Sequence, residues 1–108
     1  VYGDGQQSRT FCYVDDNIMA TTNTLFKNMC LNDIVNIGSD VEISVLDLAN
    51  TIIKLTNSSS KIVHLPPLAE GDMLRRVPDI TKMKELMDRE ITPLEVGIKK
   101  LIDSGKFK

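Results

Sequence analysis

Two hydrophobic periods alternate along this chain and divide it into short strands and amphipathic helices. Thr10 to Val14 is β-branched and aromatic and alternates, which predicts a strand. Asp15 or Asp16 then stands where a carboxylate would accept the free N–H groups of a first helical turn. Ile18, Thr22, Leu25, Phe26 and Met29 follow at helical spacing, giving a helix from Asp16 to about Leu31 with that stripe buried. The apolar run Ile34–Ile37, closed by Gly38, reads as a second strand. Ser44 opens the best-signalled helix, over 45–56. Asp47 completes an approximate capping box, and Val45, Leu48, Ala49, Ile52 and Ile53 form one apolar face. Lys61–Leu65 reads as a third strand, ended by Pro66 and Pro67, which cannot donate to a ladder. A short helix is expected over 82–87. A last one is expected over 93–104, with Thr92 as N-cap, Pro93 at the first helical position and Gly105 as its stop.

Composition narrows the class. The chain has 108 residues, 42% of them hydrophobic, with no Trp, so its core must be aliphatic. One small domain with a narrow stability margin is the expected organisation. A net charge of -2 argues against general nucleic-acid binding. No apolar run nears the ~20 residues that span a bilayer, so no membrane segment is expected. Cys12 and Cys30 read as free thiols, and His64 before the proline pair reads as structural, so no metal site is implied. Val1 in place of an initiator methionine fits a piece of a longer chain.

Catalytic signatures are missing. A dinucleotide-binding turn joins a strand to a helix, whereas Gly3 and Gly5 lead through Gln6, Gln7 and Ser8 into a strand. One histidine cannot be assembled into a nucleophile triad here. The arginines are more suggestive. Arg9 lies beside the glycine-rich turn, and Arg75 and Arg76 lie in the aperiodic stretch from Leu68 to Asp79. Two guanidinium groups from separate loops can chelate a diphosphate. The alternative is that all three are solvated surface arginines.

Motif order carries a resemblance. Tyr2-Gly3-Asp4-Gly5-Gln6-Gln7-Ser8-Arg9-Thr10-Phe11, then Asn36-Ile37-Gly38, Glu42–Ala49, Arg76-Val77-Pro78-Asp79-Ile80 and Pro93-Leu94-Glu95 follow one another at sensible spacings. The set resembles the C-terminal part of nucleotide-sugar enzymes of the extended short-chain dehydrogenase family (NAD-dependent epimerases and dehydratases). Within it, the UDP-glucuronate decarboxylase branch looks nearest, followed by dTDP-glucose 4,6-dehydratases and UDP-sugar 4-epimerases.

The resemblance implies an α/β fold: the C-terminal portion of a Rossmann-type enzyme, with residues 1–108 a small substrate-binding lobe of short strands and three to four helices. It implies a UDP- or dTDP-sugar as ligand. Arg9 would hold the diphosphate, with Gln7 beside it, Arg76 would stand in the sugar site in a catalytic role, and Tyr2 and Asn36 would form the pocket; Arg75 is given no role. NAD would be bound by an N-terminal Rossmann domain absent from this chain, together with the Tyr-x-x-x-Lys pair that moves a proton as the sugar C4 is transiently oxidised. This chain alone would bind no NAD and be inactive. A cytoplasmic setting, self-association through exposed apolar surface, and a rival role as a non-catalytic interaction module complete the expectations. One departure stands out: where the family commonly has Leu-Gly-Trp-Glu-Pro, this chain has Met87-Asp88-Arg89-Glu90-Ile91, losing an aromatic anchor for the last helix.

Overall fold

The computed structural model describes residues 1–105. Its elements run β1 (Ser8–Thr10), α1 (Val14–Phe26), β2 (Glu42–Ser44), α2 (Val45–Thr56), α3 (Thr81–Leu86) and α4 (Leu94–Asp103). The α/β class is as the sequence predicts. The strands pair antiparallel, with Ser8 opposite Ser44, Arg9 opposite Ile43 and Thr10 opposite Glu42.

The glycine turn exists to meet the start of α2. Gly5 is buried with φ +76°, and a Cβ there would stand 3.0 Å from Leu46 Cβ and 3.3 Å from its backbone nitrogen. That close approach lets the Gly5 carbonyl accept the Leu46 amide at 3.0 Å, while Gln7 O accepts from Val45 N at 3.0 Å. Ser44 caps as predicted, its Oγ accepting from Asp47 N at 3.0 Å. The three leading amides of α2 are thus satisfied within the chain.

Three strand expectations change. β1 lies two residues earlier than the Thr10–Val14 pattern suggested, because Val14 already belongs to α1. Ile34–Ile37 forms no ladder; Val35 and Ile37 instead pack against the core as irregular chain. Lys61–Leu65 forms only a parallel bridge between Leu65 and Tyr2, and the prolines that follow end the pairing.

α1 also departs from its pattern. Neither Asp15 nor Asp16 caps it, since Tyr13 takes the N-cap position without a side-chain bond. The helix ends at Phe26 rather than Leu31, as Asn28, Cys30 and Asn32 all adopt left-handed φ. Its buried residues are Asp16 and Ala20, while Ile18, Leu25 and Phe26 of the apolar stripe stay exposed. Small Ala20 admits α3, and Asn23 Nδ2 donates to Leu86 O at 2.7 Å across that contact. Ala20, Ile80 and Met83 form the tight core, joined by Cys12, Val35, Ile37, Met87 and Ile91. Both cysteines are half-buried and unpaired.

Pro93, not Thr92, is the N-cap of α4, because Thr92 is committed to Asp16. The helix packs without a tryptophan: buried Gly97 lies on the Tyr13 ring, where a Cβ would come within 3.1 Å of Cδ2. Lys100 Nζ stands 5.0 Å from the centroid of the same ring. Gly105, φ +68°, follows the last turn as predicted. α3 runs 81–86, one residue early. The molecule measures 47 × 34 × 19 Å with a radius of gyration of 16.4 Å. A compact domain of this length would have about 13 Å, so the chain forms a slab with apolar faces open to solvent. No helix among the described residues is long and apolar enough to cross a membrane.

Candidate functional site

A cleft of about 810 Å³ opens between the glycine turn and the irregular segment after the proline pair, lined by Tyr2, Asp4, Gln7, His64, Leu68 and Asp72 among others. The Gln7 side chain holds the turn by donating from Nε2 to Tyr2 O at 3.2 Å. His64 Nδ1 lies 2.8 Å from Gly3 O, so this nitrogen carries the proton and the ring braces the cleft wall.

Arg9 stands behind this wall. Its Nη1 donates to Ser8 O at 2.7 Å and to Met73 O at 2.6 Å, and its Nη2 pairs with Asp72 Oδ1 at 2.6 Å. Of the residues expected in the site, Tyr2 and Gln7 line the cleft, whereas Arg9 meets it only through Asp72.

The loop wraps the free edge of β1. Leu74 O accepts from Ser8 N at 2.8 Å. Successive side chains of a strand point to opposite faces, so Arg9 holds Asp72 on one face and Ser8 shares the other with Glu42, whose Oε1 accepts from Ser8 Oγ at 2.5 Å. Arg75 reaches that second face and forks onto Glu42, Nε to Oε1 and Nη2 to Oε2, both at 2.9 Å. The Arg75 guanidinium, then the Ser8 hydroxyl, hold the Glu42 carboxyl below its ordinary value, and Arg75 is raised in turn. Arg75 is therefore committed to fixing the loop.

Arg76 is exposed, its Nε 3.5 Å from Met73 Sδ, and is not part of the cleft lining. Asn36 is likewise outside the cleft. It donates to Asp79 O at 3.2 Å, and a Cβ on Gly38 would lie 3.1 Å from Pro78. The Asn-x-Gly and Pro-Asp-Ile blocks, more than forty residues apart, thus pack on each other.

Sequence reasoning missed Asp72 and Glu42. Both belong to patterns that were legible only in part: Asp72 follows a glycine in the arginine-bearing segment, and Glu42 is diagonal to Ser8 once the register is known. The glycine turn feeds a strand rather than a helix, and the leading α2 amides already have acceptors within the chain. What the site offers is an open, largely apolar cleft that carries the Asp4 and Asp72 carboxylates, with Arg9 behind it paired to Asp72.

No family model matches the chain. It is 44% identical over 91 residues to UDP-N-acetyl-alpha-D-glucosaminuronate decarboxylase of Bacillus cytotoxicus, covering 80% of this chain and 28% of that protein. It is 40% identical over 103 residues to UDP-glucuronic acid decarboxylase 1 of Danio rerio, covering 94% and 24%. Among solved structures, the UDP-glucose 4-epimerase of Thermotoga maritima with UDP-glucose superposes with a TM-score of 0.83 at 29% identity, over 98% of this chain and 34% of that one. The UDP-glucuronic acid 4-epimerase of Bacillus cereus, in complex with UDP-glucuronic acid and NAD, gives 0.80 at 28%, over 95% and 33%. The chain spans about a quarter to a third of the lengths of these proteins. Likeness in sequence and in fold along most of its length places this chain in the extended short-chain dehydrogenase family of NAD-dependent nucleotide-sugar epimerases, dehydratases and decarboxylases.

Proposed function

We propose that this chain is the C-terminal, substrate-binding region of an NAD-dependent enzyme that decarboxylates a UDP-uronic acid, UDP-glucuronate being the best candidate. The observation that carries this reading is the identity of 44% and 40%, along most of the chain, to two decarboxylases of UDP-uronates. The cleft beside Tyr2 and Gln7 would take the nucleotide sugar, with Arg9 receiving its diphosphate, and Arg76 and Asn36 would lie toward the sugar. NAD, which supplies reversible hydride transfer at the sugar, would be held by the N-terminal Rossmann domain outside this chain. The exposed apolar stripe of α1, with Leu25 at 72% and Phe26 at 78% exposure, offers a face for that domain or, in the isolated piece, for self-association. A cytoplasmic setting is part of the same proposal.

A second reading is a UDP-sugar 4-epimerase, favoured by the TM-scores of 0.83 and 0.80 to two such enzymes. Incubating the full-length enzyme with UDP-glucuronate separates the two. Release of CO2 with a UDP-pentose supports decarboxylation, and the C4 epimer with its carboxylate retained supports epimerisation. Neither product would overturn both. Variants test the residue roles. A charge-assisted arginine–phosphate bond is worth about 1.5–3 kcal/mol, so Arg9→Ala should weaken UDP binding roughly tenfold or more. Arg76→Ala should lower turnover more than affinity if it acts in the transition state. Unchanged UDP affinity in Arg9→Ala would return Arg9 to a purely structural role.

A further inference from the structure

The guanidinium assigned to the diphosphate already holds an anion. Asp72 Oδ1 lies 2.6 Å from Arg9 Nη2, and Asp72 lines the cleft while Arg9 does not. We propose, building on the reading that this cleft takes a nucleotide-sugar diphosphate, that Asp72 is an internal stand-in for the ligand's phosphoryl oxygens and competes with the ligand for Arg9.

Carboxylate and phosphoryl oxygens present the same acceptors to a planar guanidinium fork. A ligand lying in the cleft therefore reaches Arg9 at the place where Asp72 stands, and the two compete for one donor edge.

The chain is built so that Asp72 can leave without dismantling the loop. Immediately before it, Gly71 has φ +79° and open space on the side where a Cβ would project. Immediately after it, the backbone is fastened three times. Met73 O stays on Arg9 Nη1, Leu74 O on Ser8 N, and Arg75 on Glu42. Rotation of the Asp72 side chain about its own Cα–Cβ bond swings the carboxylate away while these attachments keep Arg9 positioned.

An intramolecular carboxylate acts at high effective concentration, so it weakens every anion that needs this donor edge by the same factor. A nucleoside diphosphate adds contacts along the Tyr2, Leu65 and Leu68 wall of the cleft, which offset the displaced ion pair.

Calorimetric titration of the full-length enzyme with UDP and with inorganic phosphate tests this on Asp72→Asn, Asp72→Ser, Arg9→Ala and the Arg9→Ala/Asp72→Asn pair. Asp15→Asn, an exposed carboxylate on α1, controls for net charge. Removing the Asp72 charge should tighten UDP about two- to fivefold, the range an ion pair of this exposure supports, and should tighten phosphate by the same factor, leaving the preference for UDP unchanged. The double variant should bind UDP as weakly as Arg9→Ala, because no guanidinium remains to be released. If both Asp72 variants leave UDP binding unchanged or weaker while Arg9→Ala weakens it, Asp72 is no stand-in, yet the diphosphate reading stands. If Arg9→Ala itself changes nothing, the diphosphate reading falls and the proposal with it.

Discussion

Asp16, with 1% of its surface exposed, accepts the backbone amide of Thr92 at 2.7 Å and its hydroxyl at 2.8 Å, across 76 residues of chain. Arg89 Nη2 adds an ion pair at 2.6 Å. Together these bonds tie the first turn of α1 to the segment entering α4. Arg89 belongs to the stretch Met87–Ile91 that lacks the family's aromatic anchor, and Thr92 follows it, so a polar tether holds the C-terminal helix where packing by a large ring would be expected. Burial by itself would raise the Asp16 carboxyl. The Thr92 amide and hydroxyl and the Arg89 guanidinium outweigh it and hold the carboxyl below the ordinary aspartate value.

Asp16→Ala should therefore cost about 2–3 kcal/mol, because a buried amide, a hydroxyl and a guanidinium lose their acceptor together. Urea unfolding of the parent and the variant measures this. Asp16→Asn adds a pH test. A carboxyl with a folded pKa below its unfolded value of about 3.9 stabilises fully above about pH 5 and ceases to as pH falls through the folded value. The acid limb of the stability curve should be shallower in Asp16→Asn, and identical limbs would show that Asp16 is not linked to folding.

Arg75→Ala should separate stability from activity. The pair with Glu42 is solvent-exposed on the arginine side, at 70%, so its loss should scarcely move the melting temperature. Yet it fastens the loop that presents Arg76, so turnover of the full-length enzyme should fall by about three- to tenfold, with the larger effect on kcat. Glu42→Gln should reproduce the effect, and the double variant should add little. Full activity in both single variants would show that the fork plays no positioning part.

Gly97→Val should destabilise by about 1–3 kcal/mol, the usual cost of overpacking, because even a Cβ approaches the Tyr13 ring to 3.1 Å. Near-ultraviolet circular dichroism should register the displaced tyrosine. A variant as stable as the parent would mean that α4 packs elsewhere.

The 108-residue chain by itself should give no turnover with NAD and UDP-glucuronate, since its glycine turn precedes a strand and the N-terminal amides of α2 are already bonded. Mass-spectrometric assay of the purified chain tests this, and NAD-dependent product would refute it.

Local signals made parts of this fold readable. Ser44 with Asp47 and Gly105 punctuate their helices through neighbours in sequence, and α2 occupies 45–56 as its pattern indicates. The ordered motif blocks made the family readable as well. Where a residue's partner is distant, the pattern misled or was silent. Asp16 and Thr92 each look like helix caps, and each is taken by the other. The apolar stripe of α1 looks like its core face, but the small side of the helix at Ala20 allows closer approach and is buried instead. Arg75 looks idle until Glu42 is brought to it, and Arg9 looks free until Asp72 is. Helix caps and glycine stops are decided within four or five residues, where chain connectivity already supplies proximity. Strand pairing, the choice of buried face and the partners of charged groups depend on contacts 30 to 80 residues apart, which exist only once the chain has folded.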